Sequence, residues 1–125
     1  FIIIQMSSIP IVKGQNSTEK PPMAASVNNL QIGEVTKEDL LGAGKVSLIE
    51  SYQDDNSILS YRLTIISEAN SPIQLTSGGN GDFTAEMVAA IQSTQSGDKV
   101  YFEYIKCKSH KGVVRSLGSL AFKIK

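Results

Sequence analysis

Along residues 59–65 the sequence alternates Leu59, Tyr61, Leu63 and Ile65 with Ser60, Arg62 and Thr64. Near the C-terminus Leu120, Phe122 and Ile124 alternate in the same way with Ser119, Ala121, Lys123 and Lys125. A period of two turns one set of side chains to a core and the other to water, so both stretches predict half-buried strands. The strand before the last one is less regular. Phe102 and Ile105 have opposite parity, yet both are large and apolar. A bulge or bend near Glu103–Tyr104 reconciles them and is expected there.

The remaining elements follow from punctuation and period. Residues 1–12, FIIIQMSSIPIV, are β-branched and apolar and predict an entering strand whose edge position tolerates Pro10. Residues 13–25 form a Gly/Ser/Pro-rich loop, and SVNNLQIG predicts a short strand. In TKEDLLGAG, Thr36 is placed to cap a helical turn, with Asp39 three residues on and Gly42 as its stop. KVSLIESY and SILSYRLTIIS flank QDDN, which predicts a hairpin, and SPIQLT predicts another short strand. The one clear helix covers 84–94: Thr84 is its N-cap, Glu86 sits in its first turn, Met87, Val88 and Ile91 form its apolar stripe, and Gly97 is its stop. At about three turns it must pack on something to be stable. SHKG, residues 109–112, predicts the turn before the last strand. Many short strands, one short helix and no βαβ alternation predict a mainly β, antiparallel sandwich of Ig-like type, with Leu63, Ile65, Ile91, Phe102, Ile105, Leu120 and Phe122 in its core.

A chain of 125 residues is expected to be one domain, and its 41% apolar content suits a globular fold. One Cys cannot form an internal disulfide, and no apolar run approaches the roughly 20 residues of a membrane span. The first residue is Phe rather than Met, so a piece of a longer protein is expected, with any anchor or export signal removed. Net charge is zero, but unevenly spread: residues 1–96 carry ten acidic against five basic side chains, and residues 97–125 carry two against seven. The basic C-terminal stretch therefore becomes the first place to look for a binding surface.

No stretch assembles a complete catalytic or metal-binding set. DLLGAGKVS is unlike a phosphate-binding loop, because Asp39 stands at the first Gly position and Val46 where a Ser or Thr should hold magnesium. GGNGDF resembles part of a calcium-binding repeat but occurs once, and Asn80 and Asp82 read as parts of a plain turn. Cys107 shares parity with Ile105 and is expected to be a small buried hydrophobe, and His110 an exposed turn residue, so the two do not pair as nucleophile and base. Tyr101, Phe102 and Tyr104 could stack nucleic-acid bases, but the core is expected to claim all three, and the neutral chain argues against nucleic acid. NST at Asn16 is a glycan acceptor pattern only in a eukaryotic secretory route.

Residues 82–125 resemble the C-terminal domain of the GldM/PorM proteins of gliding motility and type IX secretion. The shared features are a capped helix, Gly97 and Asp98 before the strand, then Tyr101, Phe102, Ile105 and Lys106. A turn ending in Gly112 follows, then Arg115, Leu117 and a closing strand with Phe122. Ile9 and Pro10 resemble the end of the family's entering strand. The family's turn usually reads Gly-Pro-Asp-Gly where this chain has Ser109-His110-Lys111-Gly112, and it usually carries Ala where Cys107 stands.

The resemblance implies a periplasmic, non-catalytic β-sandwich without cofactor or metal, anchored to the inner membrane in the full-length protein by a segment this sequence lacks. It implies a homodimeric shaft that couples an inner-membrane motor to a lipoprotein ring at the outer membrane. The partners expected are other proteins of that machine, not nucleic acid. The competing expectation is an extracellular sensor or ligand-binding domain of a membrane-anchored receptor. Lys123 and Lys125 have outward parity on the last strand, while Lys106, Lys108 and Lys111 cluster before and in the turn. These five lysines are the expected partner-docking residues, with their charged heads in solvent and their stems along the sheet.

Overall fold

The structure, a computed structural model, describes residues 21–125. The entering strand expected over residues 1–12 and the acceptor pattern at Asn16 lie outside the described residues. In chain order the elements are β1 (Ala25–Ser26), β2 (Ile32–Val35), α1 (Lys37–Ala43), β3 (Ser47–Leu48), a 3-10 turn (Glu50–Tyr52), β4 (Asn56–Ile66), β5 (Ile73–Thr76), α2 (Ala85–Gln92), β6 (Lys99–Ser109), β7 (Val114–Ser116) and β8 (Leu120–Ile124). The fold is mainly β and sandwich-like, as its alternating strands require.

Five strands of the large sheet lie in the order β2-β8-β6-β4-β5, with β7 also on β6. The pairs within it are antiparallel except β2 with β8, which run parallel. One face is the core. Leu63 stands opposite Phe102, and Phe102 opposite Leu120; Ile65 stands opposite Val100, and Val100 opposite Phe122. These two rows are buried, as are Ile91 and Ile105, so every residue expected in the core is there. Each such side chain contributes roughly 1.5–3 kcal/mol by leaving water. Phe102 is the centre of an aromatic group, edge-on to Tyr61 at 5.9 Å and Phe122 at 6.1 Å and stacked on Phe83 at 5.7 Å.

The covering layer is built differently from a second full sheet. It combines the two-stranded β1–β3 ribbon with both helices, and Ala25, Val27, Leu40, Leu48, Met87 and Ile91 join the same core cluster. SVNNLQIG is therefore not one strand: it holds the end of β1, a tight turn with Asn28 and Asn29 at positive φ, and the start of β2. Asn accepts that left-handed conformation better than most side chains do. The expected hairpin around QDDN does not form. The first run is short, gives its pairing groups to β1 and bends into the 3-10 turn, while both sides of β4 are taken by β5 and β6.

Both helix starts are as the sequence predicts, and both ends differ. The Thr36 hydroxyl accepts from the Asp39 N–H at 3.0 Å while the Asp39 carboxylate accepts from the Thr36 N–H at 3.2 Å. This capping box makes α1 a true second helix of seven residues. It runs through Gly42 and stops at Gly44, whose φ of 70° supplies the left-handed cap. Thr84 caps α2 as expected, accepting from the Met87 N–H at 3.2 Å. That helix ends at Ser93, before Gly97, because the buried Thr94 hydroxyl turns back to donate to the Ile91 carbonyl at 2.6 Å. Gly97, at φ 96°, instead serves the turn into β6.

The expected bulge is present. Arg62 faces Glu103 and Ser60 faces Lys106, so Tyr104 and Ile105 together stand opposite Tyr61, with Tyr104 at φ 51°. The inserted residue keeps Phe102, Ile105 and Cys107 on one face. It also breaks the return strand. β7 pairs with residues 106–108 of β6 and β8 with residues 99–102, leaving Leu117 to bridge by donating its N–H to the Ile105 carbonyl at 2.8 Å.

Candidate interaction surface

The face of the large sheet turned away from the core carries the basic residues. On β6, Lys99, Lys106 and Lys108 alternate with buried neighbours, and all three are exposed. Lys123 on β8 lies opposite Lys99, and Ser116 on β7 lies opposite Lys106. Lys125 follows just past the end of β8 with the same parity, and Lys111 sits in the turn between β6 and β7; both are exposed. The five expected docking lysines are thus solvent-facing, but the fold separates them. Six residues lie between Lys99 and Lys106, and because the bulge adds one of them the partner positions on β4, Ile66 and Ser60, are six steps apart, which at about 3.3 Å per residue is about 20 Å. Lys123 and Lys125 belong to one cluster with Lys99, and Lys106, Lys108 and Lys111 to another.

Between the clusters lies a fixed polar centre. Arg62 donates to Glu103 across the strand pair at 3.3 Å, the Thr64 hydroxyl donates to the same carboxylate oxygen at 2.6 Å, and the Arg62 guanidinium lies 4.5 Å from the centre of the Tyr104 ring. The Arg62 Nε is buried without a hydrogen-bond partner among the described residues. Tyr104 is 67% exposed and Tyr101 half-buried on this face. The expectation that the core claims all three aromatics therefore holds only for Phe102. The bulge turns Tyr104 outward, and ordinary alternation does the same for Tyr101. Lys99, Arg62 and Ile32 also belong to this surface. None of the three was legible: with Tyr101 expected in the core, parity gave Lys99 no outward place, and Arg62 and Ile32 come to the surface through register, which needs the fold.

Among the described residues, the only carboxylates within ion-pair distance of a basic group are Glu103 with Arg62 and Asp55 with His110. Lys99, Lys106, Lys108 and Lys123 are therefore free cations among the described residues. The acidic groups near these lysines are Glu103, already tied to Arg62 and Thr64, Glu34, beside Lys123 in the sheet register, and Asp54 and Asp55, which line a cleft shared with Lys108 and Lys111.

The other candidate chemistries are separated by the fold. The Cys107 thiol is fully buried with Met23 sulfur 3.5 Å away, whereas the His110 ring is in solvent, with Nδ1 3.9 Å from a carboxylate oxygen of Asp55. The glycine stretch at 42–44 closes the C-terminal end of α1, the negative end of a helix, opposite to what a phosphate needs. The GGNGDF loop is an Asx turn, with the Asn80 side chain accepting from the Asp82 N–H at 2.9 Å. Gly81 lies so close to the Val46 carbonyl that an added Cβ would stand 2.3 Å from it. The buried Tyr61 hydroxyl donates toward the Gly81 and Asp82 carbonyls, each at 3.1 Å, holding this loop to β4. Burial first, and the nearby Asp82 carboxylate second, push its ionisation well above the usual tyrosine range. Among the described residues no group of three or more His, Cys, Asp or Glu side chains is placed to hold a metal, and no helix is long and apolar enough to cross a membrane.

Compared with known proteins, the chain matches no family model, and no curated protein matches it significantly.

Proposed function

We propose that this domain is a non-catalytic, periplasmic protein-docking module of a gliding and type IX secretion machine. In it a rigid sandwich passes motion from an inner-membrane motor to an outer-membrane ring. The machine is suggested by the likeness of residues 82–125 to the GldM/PorM C-terminal domain. The observation that carries the docking role is the outer sheet face, where Lys99, Lys106, Lys108 and Lys123 stand without carboxylate partners among the described residues. Exposed lysines can serve only solubility. Here they line one face whose opposite side is sealed as core, which gives a partner with acidic patches a stiff platform. Stiffness suits a part that transmits force: β4 and β6 run side by side for eleven residues each, with aromatic packing beneath them.

Contacts between exposed charges are screened over about 8–10 Å near physiological ionic strength. Self-association of the domain, measured by sedimentation velocity, and its binding to the ring lipoprotein should both weaken when salt is raised from 50 to 500 mM. Charge reversal at Lys123 and Lys125, or at Lys106 and Lys108, should weaken them without changing the unfolding midpoint. Binding indifferent to both salt and charge reversal would leave the lysines as solubilising residues and defeat the reading, as would tight binding of an oligonucleotide.

A further inference from the structure

At the Lys99–Lys123 end of the outer face the surface has a feature that solubility does not call for. Two lysines stand directly opposite each other across an antiparallel pair. The neighbouring Asp98 and Ile124 carry a backbone hydrogen bond, Ile124 N–H to Asp98 carbonyl at 2.8 Å. Lys99 and Lys123 therefore form a non-hydrogen-bonded pair, the kind whose Cα atoms approach to about 4.5 Å. Like charges so placed are destabilising. Glu34 lies beside Lys123 in register but makes no ion pair with it. Beside the pair, the small side chain of Ala121 leaves a groove of about 260 Å³ lined by Ile32, Tyr101 and Ala121 and rimmed by Lys99, Lys123 and Glu34. Ile32 is 77% exposed there, on the strand that ends the sheet among the described residues.

Resting on the docking role proposed above, we infer that this groove receives an acidic segment of a partner protein. One apolar side chain of that segment, aromatic or branched aliphatic, seats over Ala121 between Tyr101 and Ile32, and a flanking carboxylate lies between the Lys99 and Lys123 ammonium groups. The carboxylate offsets the repulsion of the pair, and the apolar side chain removes Ile32 from water. Neither feature alone selects the occupant. Together they specify an apolar residue next to an acidic one and disfavour a basic segment, whose charge would meet the two lysines. The second cluster borders a wider cleft of about 550 Å³ at Lys108 and Lys111, but that cleft is lined by polar side chains and by Asp54 and Asp55, which offer no apolar seat and repel an acidic segment, so this cluster contributes long-range attraction only.

The test is an amide NMR titration of the full 125-residue chain with a capped Asp-Asp-Phe-Asp-Asp peptide at up to millimolar concentration. The controls are Asp-Asp-Ala-Asp-Asp and Lys-Lys-Phe-Lys-Lys. The expected result is saturable shifts centred on Ile32, Lys99, Tyr101, Ala121 and Lys123, at least tenfold weaker binding without the Phe, and none for the basic peptide. Lys99→Glu with Lys123→Glu should abolish it, and Ala121→Leu, which fills the groove without changing charge, should weaken it at least fivefold. Lys106→Glu with Lys108→Glu should leave most of it. No binding, shifts spread evenly over all the lysines, or indifference to the Phe or to Ala121→Leu would overturn the inference. If binding instead follows Lys106 and Lys108, the docking face stands and the groove fails; if neither pair matters, both fail.

Discussion

The Tyr61 hydroxyl shows how one residue ties fold to pH. It is buried against two loop carbonyls and holds its proton to unusually high pH. Below about pH 10 folded and unfolded chains both keep that proton, and stability does not depend on it. Above it the unfolded chain releases the proton while the folded chain retains it, so stability falls as pH rises, by about 1.4 kcal/mol per pH unit. Urea unfolding at pH 9, 10 and 11 should show this slope in the parent and a shallower one in Tyr61→Phe. That variant should also be about 1 kcal/mol less stable at pH 7, because it lacks the hydroxyl's hydrogen bonds. Equal slopes in the two proteins would mean that Tyr61 ionises freely in the fold. Cys107 is the complementary case of a group kept from its chemistry. Fully buried beside Met23, it should react with a thiol reagent at neutral pH only as the domain opens, roughly a hundredfold or more slower than in urea. Rapid stoichiometric labelling of the native protein would show that the β6 parity is wrong.

At the scale of elements, the bulge in β6 decides which side chains face the core and which face outward. Tyr104 sits at φ 51°, a conformation that costs most L-residues roughly 1–2 kcal/mol, and its stacking on Arg62 returns about 0.5–1 kcal/mol of this. Tyr104→Gly should therefore fold with stability within about 1 kcal/mol of the parent. Tyr104→Val, β-branched and unable to stack, should lose about 1–2 kcal/mol or more. A Val variant as stable as the parent would mean that the bulge has moved. This element was legible in the sequence because Phe102 and Ile105 make incompatible demands on an unbroken strand. The caps at Thr36 and Thr84 were legible for a similar reason, since local hydrogen bonds fix them. What could not be read was decided by distant partners. The QDDN hairpin gave way because β5 and β6 occupy both sides of β4, and α2 stops at Ser93 because Thr94 turns inward. The outer face was half legible: parity marked Lys123 and Lys125, and clustering before and in the turn marked Lys106, Lys108 and Lys111, but only strand register brings Lys99, Arg62 and Ile32 beside them.

Across the whole molecule, the large sheet gives one face to the core and, on the function proposed above, the other to a partner. The two lysine clusters lie about 20 Å apart, about twice the screening length, so they should act as separate contributions to binding rather than as one patch. The most direct test of that division is photocrosslinking in cells that express the protein, with the photoreactive residue at Ser116 or Ile32 on the outer face and at the exposed Glu38 of α1 on the covering layer. The account predicts a defined adduct with an outer-membrane ring protein from the two outer-face positions and none from Glu38, and its loss when the lysines beside each position are reversed to Glu. Adducts formed equally from Glu38, or outer-face adducts unaffected by those reversals, would contradict it.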